Sequence, residues 1–100
     1  MIQQGDVVFI ESKLPKDAVL QKDFDGVVQH GEATGHAHRL YGNGFRMYQT
    51  PDKRRFLKLV EPTMLKHEEH KEIKLPEKIF EVRIVREYNH WDEEVRAVAD

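Results

Sequence analysis

Cysteine is absent from the 100-residue chain. Disulfides, thiolate metal sites and a cysteine nucleophile are therefore excluded, and a metal ion would have to be held by His, Asp or Glu. A chain without cysteine fits a reducing compartment. No apolar run approaches the roughly 20 residues of a membrane span. Residues 1–6 lack the basic stretch and long apolar core of an export signal, so the expectation is a cytoplasmic protein without membrane contact. A basic excess is missing as well. Sixteen Lys and Arg face eighteen Asp and Glu, a formal charge of −2, which argues against non-specific nucleic-acid binding. The local basic cluster Lys53-Arg54-Arg55 follows Pro51-Asp52 and reads as a hairpin tip.

What remains is a short chain, 39% hydrophobic and 34% charged, whose Val, Ile, Leu and Phe fall in periodic runs and so are not those of a disordered segment. Its length predicts one domain over residues 1–100 with a modest core. Val7-Val8-Phe9-Ile10 reads as a buried strand. Asp25-Gly26 is a turn, and Val27-Val28-Gln29-His30 begins the next strand. Gly42-Asn43-Gly44 predicts a tight hairpin turn between a strand over residues 36–41 and one over residues 45–49. Thr50-Pro51-Asp52-Lys53 is a further turn before residues 55–61. Thr63 is positioned to cap a short helical turn; Ile73-Lys74-Leu75 alternates; residues 79–88 give the longest strand, with Phe80, Val82 and Ile84 on one face. The segment from Trp91 to the end reads as a short, weak amphipathic helix, with Asp92 as its cap, or as a frayed tail. The expected fold is mainly β: a small antiparallel barrel-like or sandwich domain with a helical turn near residues 63–70 and a weak C-terminal helix.

Chemistry is concentrated in two places. Residues 30–41 hold three of the six histidines, and residues 67–70 read His-Glu-Glu-His. In an extended segment His36 and His38 point to one face with Cα atoms about 6–7 Å apart, close enough to converge on one ion. His67 and His70, three apart, would share a face on a helical turn. Imidazole suits zinc, copper, nickel or iron, so His36, His38, His67 and His70 are a candidate set for a divalent transition metal, zinc foremost. Glu32 and Glu68 are candidates to orient water or a ligand imidazole. Against this stands a plainer reading. His-x-His pairs arise by chance, Lys66 and Lys71 make residues 67–70 an ordinary charged loop, and the spacing is not the His-Glu-x-x-His of zinc proteases.

The segments Gly31-Glu32-Ala33-Thr34-Gly35-His36-Ala37-His38-Arg39, Leu65 to Pro76 and Arg86-Glu87-Tyr88 together resemble a family of small uncharacterised bacterial and bacteriophage proteins. Its pattern includes Gly-Glu-x-Thr-Gly-His-x-His, Leu-x-His-x-Glu-His-x-x-Ile-x-Leu-Pro and an Arg-Glu-Tyr ending, with Val85 here where the pattern has Gln. The resemblance implies no activity, but it places all four histidines inside the defining motifs. Three functions follow as expectations: a metal-binding histidine cluster; a metal-free protein-interaction module of phage or mobile-element origin, with Tyr41, Tyr48, Tyr88 and Trp91 as anchors for a protein partner; and a histidine-dependent hydrolase or phosphodiesterase in which His36 and His38 move protons and Arg39 neutralises phosphate. Arg39 and Tyr88 are the binding candidates. A fourth reading is structural: the histidines and glutamates hydrogen-bond to one another and pin residues 62–76 across the sheet.

Overall fold

The structure, a computed structural model, describes residues 1–30 and 35–85. These hold ten strands: β1 Ile2–Gln4, β2 Val7–Glu11, β3 Val19–Leu20, β4 Val27–His30, β5 Ala37–Leu40, β6 Phe45–Gln49, β7 Arg55–Leu59, β8 Thr63–Lys66, β9 Ile73–Leu75 and β10 Ile79–Ile84. They form two antiparallel sheets. One runs β1-β2-β10-β7-β6-β3, the other β4-β5-β8-β9. Neither closes into a barrel, so the layered alternative of the expected fold is the one adopted. Among the described residues no helix is long and apolar enough to cross a membrane.

Period-two burial explains the layers. Val7 and Phe9 from β2, Met47 from β6, Leu57 and Leu59 from β7, and Phe80 and Val82 from β10 meet Val28, Leu40, Leu65 and Leu75 from the smaller sheet in one apolar cluster. Phe9 and Phe80 pack edge to face with ring centroids 6.1 Å apart, a geometry that aromatic quadrupoles favour. The last of these ten strands, β10, sits between β2 and β7, tying the beginning of the chain to its middle.

Two expectations are corrected. Gly42-Asn43-Gly44 does not close a hairpin, because β5 and β6 belong to different sheets. Gly42 has φ +95, so the turn chemistry was read correctly, but it redirects the chain from one sheet to the other. The helical turn near residues 63–70 is also absent. Residues 63–66 are β8, with Thr63 and Leu65 buried, Met64 half-buried and Lys66 exposed, the alternation of a strand. The Thr63 hydroxyl donates to the Glu61 carbonyl at 2.9 Å instead of capping a helix. Residues 67–72 form the connection from β8 to β9. The expected C-terminal helix lies outside the described residues.

Candidate metal centre

Three pieces of chain converge on the histidines: the β1–β2 turn, the entry to β5, and the β8–β9 connection. The first is a two-residue turn, since Gln4 pairs with Val7. Gly5 takes its first position with φ +58, as in the hairpin turns that open on glycine. A Cβ at Gly5 would lie 2.6 Å from His70 Nε2 and 3.2 Å from His38 Cε1. The glycine is therefore what lets the two imidazoles approach the turn. A register shift between Val27 and Gln29 on β4 places a bulge opposite β5, a device that re-aims side chains.

Gln4, 3% exposed, links the layers. Its Nε2 donates to the carbonyls of Leu65 and Lys71, each at 3.0 Å. Both amide protons are thereby used, and Oε1 faces His38 Nδ1 at 2.8 Å. An amide oxygen only accepts, so His38 Nδ1 carries the proton. In the neutral ring Nε2 then presents a lone pair, and it lies 3.3 Å from Asp6 Oδ1. Burial pushes the His38 pKa below its ordinary value; the neighbouring His67 adds to this, and Asp6 pulls the other way.

His36 Nδ1 contacts Glu69 Oε1 at 2.5 Å. A carboxylate bonded to one ring nitrogen is the usual second layer of a metal-binding histidine. The Glu69 N–H donates to His67 Nδ1 at 3.0 Å. Coordination by His67 gives up that bond by either route: the ion replaces the N–H at Nδ1, or it takes Nε2 and the ring proton moves to Nδ1, which then no longer accepts from Glu69. Glu68 Oε1 accepts the Ala37 N–H at 2.8 Å, and this bond is the main reason its carboxyl is held below the usual range. His67 is also lowered, by burial first and then by His70. Its ring centroid lies 5.6 Å from that of His36, 4.3 Å from His38 and 4.5 Å from His70. His38 and His70 stack at 5.9 Å. His36, His67 and Glu68 each offer one ligand atom, all within 4.8 Å of one another.

The two histidine clusters therefore meet, although through a loop and not through a helical face. The four imidazoles are not equivalent. His36 and His67 converge with Glu68, whereas His38 is engaged by Gln4 and Asp6. His30 is exposed on β4, paired with Ala37. Arg39 is exposed on β5 and is one of the charges that lower the Glu68 pKa. Tyr41 is 49% exposed, with Lys66 Nζ 4.7 Å above its ring; Tyr48 is half-buried on β6. Glu32, Tyr88 and Trp91 lie outside the described residues. Sequence reasoning missed Gln4, Gly5 and Asp6. The available signal was the Gly5-Asp6 pair, a type that favours hairpin turns, directly ahead of the apolar run Val7-Val8-Phe9-Ile10 and directly after the polar Gln3-Gln4.

Residues 3–85 match a family described as a domain of unknown function (DUF8820). No curated protein and no solved structure matches the chain.

Proposed function

The chain belongs to the DUF8820 family of domains of unknown function, and from its geometry we propose that it binds a divalent transition-metal ion through His36, His67 and Glu68. One observation carries the reading: a ligand atom of each residue falls within 4.8 Å of the other two. Two imidazoles and a carboxylate suit zinc, for which three protein ligands leave a position for water or a further side chain. With Zn–N bonds of about 2.0–2.1 Å, tetrahedral geometry puts ring centroids about 5 Å apart; those of His36 and His67 are 5.6 Å apart. Glu69 behind His36 supports the same reading. His70, whose ring is 4.5 Å from that of His67, is the nearest further imidazole on the exposed side. A cytoplasmic setting agrees with the lack of cysteine.

A second, metal-free reading rests on Gln4. Its bonds to Leu65, Lys71 and His38 fasten the β8–β9 connection to β1 with no ion, making the cluster a structural latch. Elemental analysis decides between them. Protein purified without a histidine tag, loaded with zinc and dialysed, is expected to retain at least one equivalent. The double variant His36→Ala, Glu68→Gln is expected to lose an equivalent while keeping its β-sheet circular dichroism. Wild-type protein that retains no zinc would leave only the latch.

A further inference from the structure

We propose that the cleft beside the β6–β7 tip is a binding site for a phosphate-type oxyanion. It lies between that tip and β10, has a volume of about 540 Å³, and is walled by Lys53, Arg54, Arg55, Glu81 and Arg83, with Gln29 from the smaller sheet. Four cationic side chains and one carboxylate thus share a cleft in a chain whose formal charge is −2. None of these residues is a ligand of the proposed metal centre, so the two sites are tested separately.

The turn itself points to a ligand. Among the described residues Lys53 is the one non-glycine with a positive φ, +69. Its N–H donates to the Thr50 carbonyl at 2.9 Å, and the Thr50 N–H donates to the Arg54 carbonyl at 2.9 Å. A turn followed by one left-handed residue is a common hairpin closure, and glycine suits that position best. Lysine bears a backbone cost there that glycine would not. The turn is fastened by other means: the Thr50 hydroxyl bonds to the Asp52 carboxylate and accepts the Arg54 N–H at 3.0 Å. Lys53 is therefore unnecessary for closing the hairpin, and what it adds is an ammonium on the cleft wall.

The arginines are held in place before any ligand arrives. Asp52 engages Arg54 through Nε at 3.2 and 3.0 Å, and the guanidinium lies 5.6 Å over the Phe56 ring. These contacts orient the fork without drawing on its Nη donors. Glu81 grips Arg83 with two bonds of 3.1 Å, and Arg55 Nη1 donates to the Val28 carbonyl at 2.7 Å, so these two contribute anchored charge. Anchored charge of one sign in a cleft concentrates the field on its occupant and lowers the ordering cost of binding. Guanidinium forks and an ammonium are the donors that phosphate oxygens take. The cleft has the size of a small-molecule site, and Val82 and Ile84 give it an apolar stretch of wall. Its ligand class is therefore free phosphate or a phosphomonoester with a small organic group.

Nitrogen-15 NMR of the wild-type chain, titrated with inorganic phosphate and with phenyl phosphate in separate arms, tests the site. Sodium chloride at matched ionic strength is the control. Saturable shifts at the amides of residues 53–55 and 81–84 are expected with the phosphates and not with chloride. Tighter binding of phenyl phosphate assigns the site to phosphomonoesters; equal or weaker binding assigns it to free phosphate. Lys53→Gly relieves the backbone, so it is expected to melt no lower than wild type and yet to bind about tenfold more weakly, the loss of roughly one charge-assisted hydrogen bond. A lysine with a merely structural role would leave that affinity unchanged. Shifts that chloride reproduces, no shift with either phosphate, or wild-type affinity in Lys53→Gly would each overturn the proposal.

Discussion

Gln4 donates to two backbone carbonyls and accepts from His38, so truncating it strands three groups, the Leu65 carbonyl and His38 Nδ1 in buried surroundings and the Lys71 carbonyl in part-buried ones. Each unmet partner costs about 1–3 kcal/mol, and Gln4→Leu is expected to lose about 3 kcal/mol in all. For a domain this size that lowers Tm by more than about 10 °C; a melting curve that overlays wild type would remove the latch from the account. Gly5→Ala acts through space and backbone together. Its Cβ would fall 2.6 Å from His70 Nε2 at a φ of +58, so the variant is expected to lose about 1 kcal/mol and to shift the His70 ring resonances, read by thermal melting and NMR. The histidines set the pH dependence. His38 and His67 have pKa values lowered in the fold, each by burial first, so folding favours their neutral forms. Their contribution is complete above the unfolded value of about 6.5 and is lost as pH falls through the folded values. Metal-free protein is expected to melt lower at pH 5 than at pH 8, and His38→Gln to flatten that profile. Equal Tm values across the range in wild type would contradict the assignment.

Strands were legible where their burial is self-evident from pattern. Val7-Val8-Phe9-Ile10 needs no context to be read as interior, and Phe80, Val82 and Ile84 alternate over the full length of β10. The tip between β6 and β7 was legible because Pro51 and Asp52 dictate a turn. Residues 63–66 were misread because Thr-Met-Leu-Lys is too short to separate a period of two from one of 3.6. Only pairing with β5 and β9 settles it. The partner of β5 was equally hidden, since a Gly-Asn-Gly turn specifies reversal of the chain and says nothing about which sheet receives it. At the site, the histidine pairs were visible as clusters. Their division into one group around Glu68 and another around Gln4 and Asp6 depends on β1, whose three residues carry no recognisable motif. Leu65 ties these observations together: it is fully buried, and its carbonyl holds Gln4. Leu65→Ala is expected to cost about 2–5 kcal/mol as a core cavity and, by loosening β8, to weaken zinc retention several-fold. Denaturant unfolding and a competitive zinc titration check the two effects; retention unchanged despite lost stability would show that the site does not depend on β8 packing.

The ligands of the proposed ion come from two segments far apart in sequence, the entry to β5 and the β8–β9 connection. They meet only in the folded chain, so an ion they hold stabilises the folded molecule by mass action. At a free zinc concentration a hundredfold above Kd the gain is about 2.7 kcal/mol, which for a domain this small raises Tm by roughly 10–20 °C. The shift should grow with the logarithm of zinc concentration, reverse on adding chelator, and shrink at pH 5, where protons compete for the imidazoles. Magnesium prefers oxygen ligands and keeps its waters, so millimolar magnesium is expected to leave Tm within about 1 °C of the metal-free protein. Differential scanning calorimetry across these conditions separates the possibilities. A zinc-specific, chelator-reversible rise supports the metal centre. Equal rises with zinc and magnesium would point to non-specific screening of the acidic surface. No rise with either, with the pH dependence intact, would leave a domain whose histidines serve to fasten one sheet to the other.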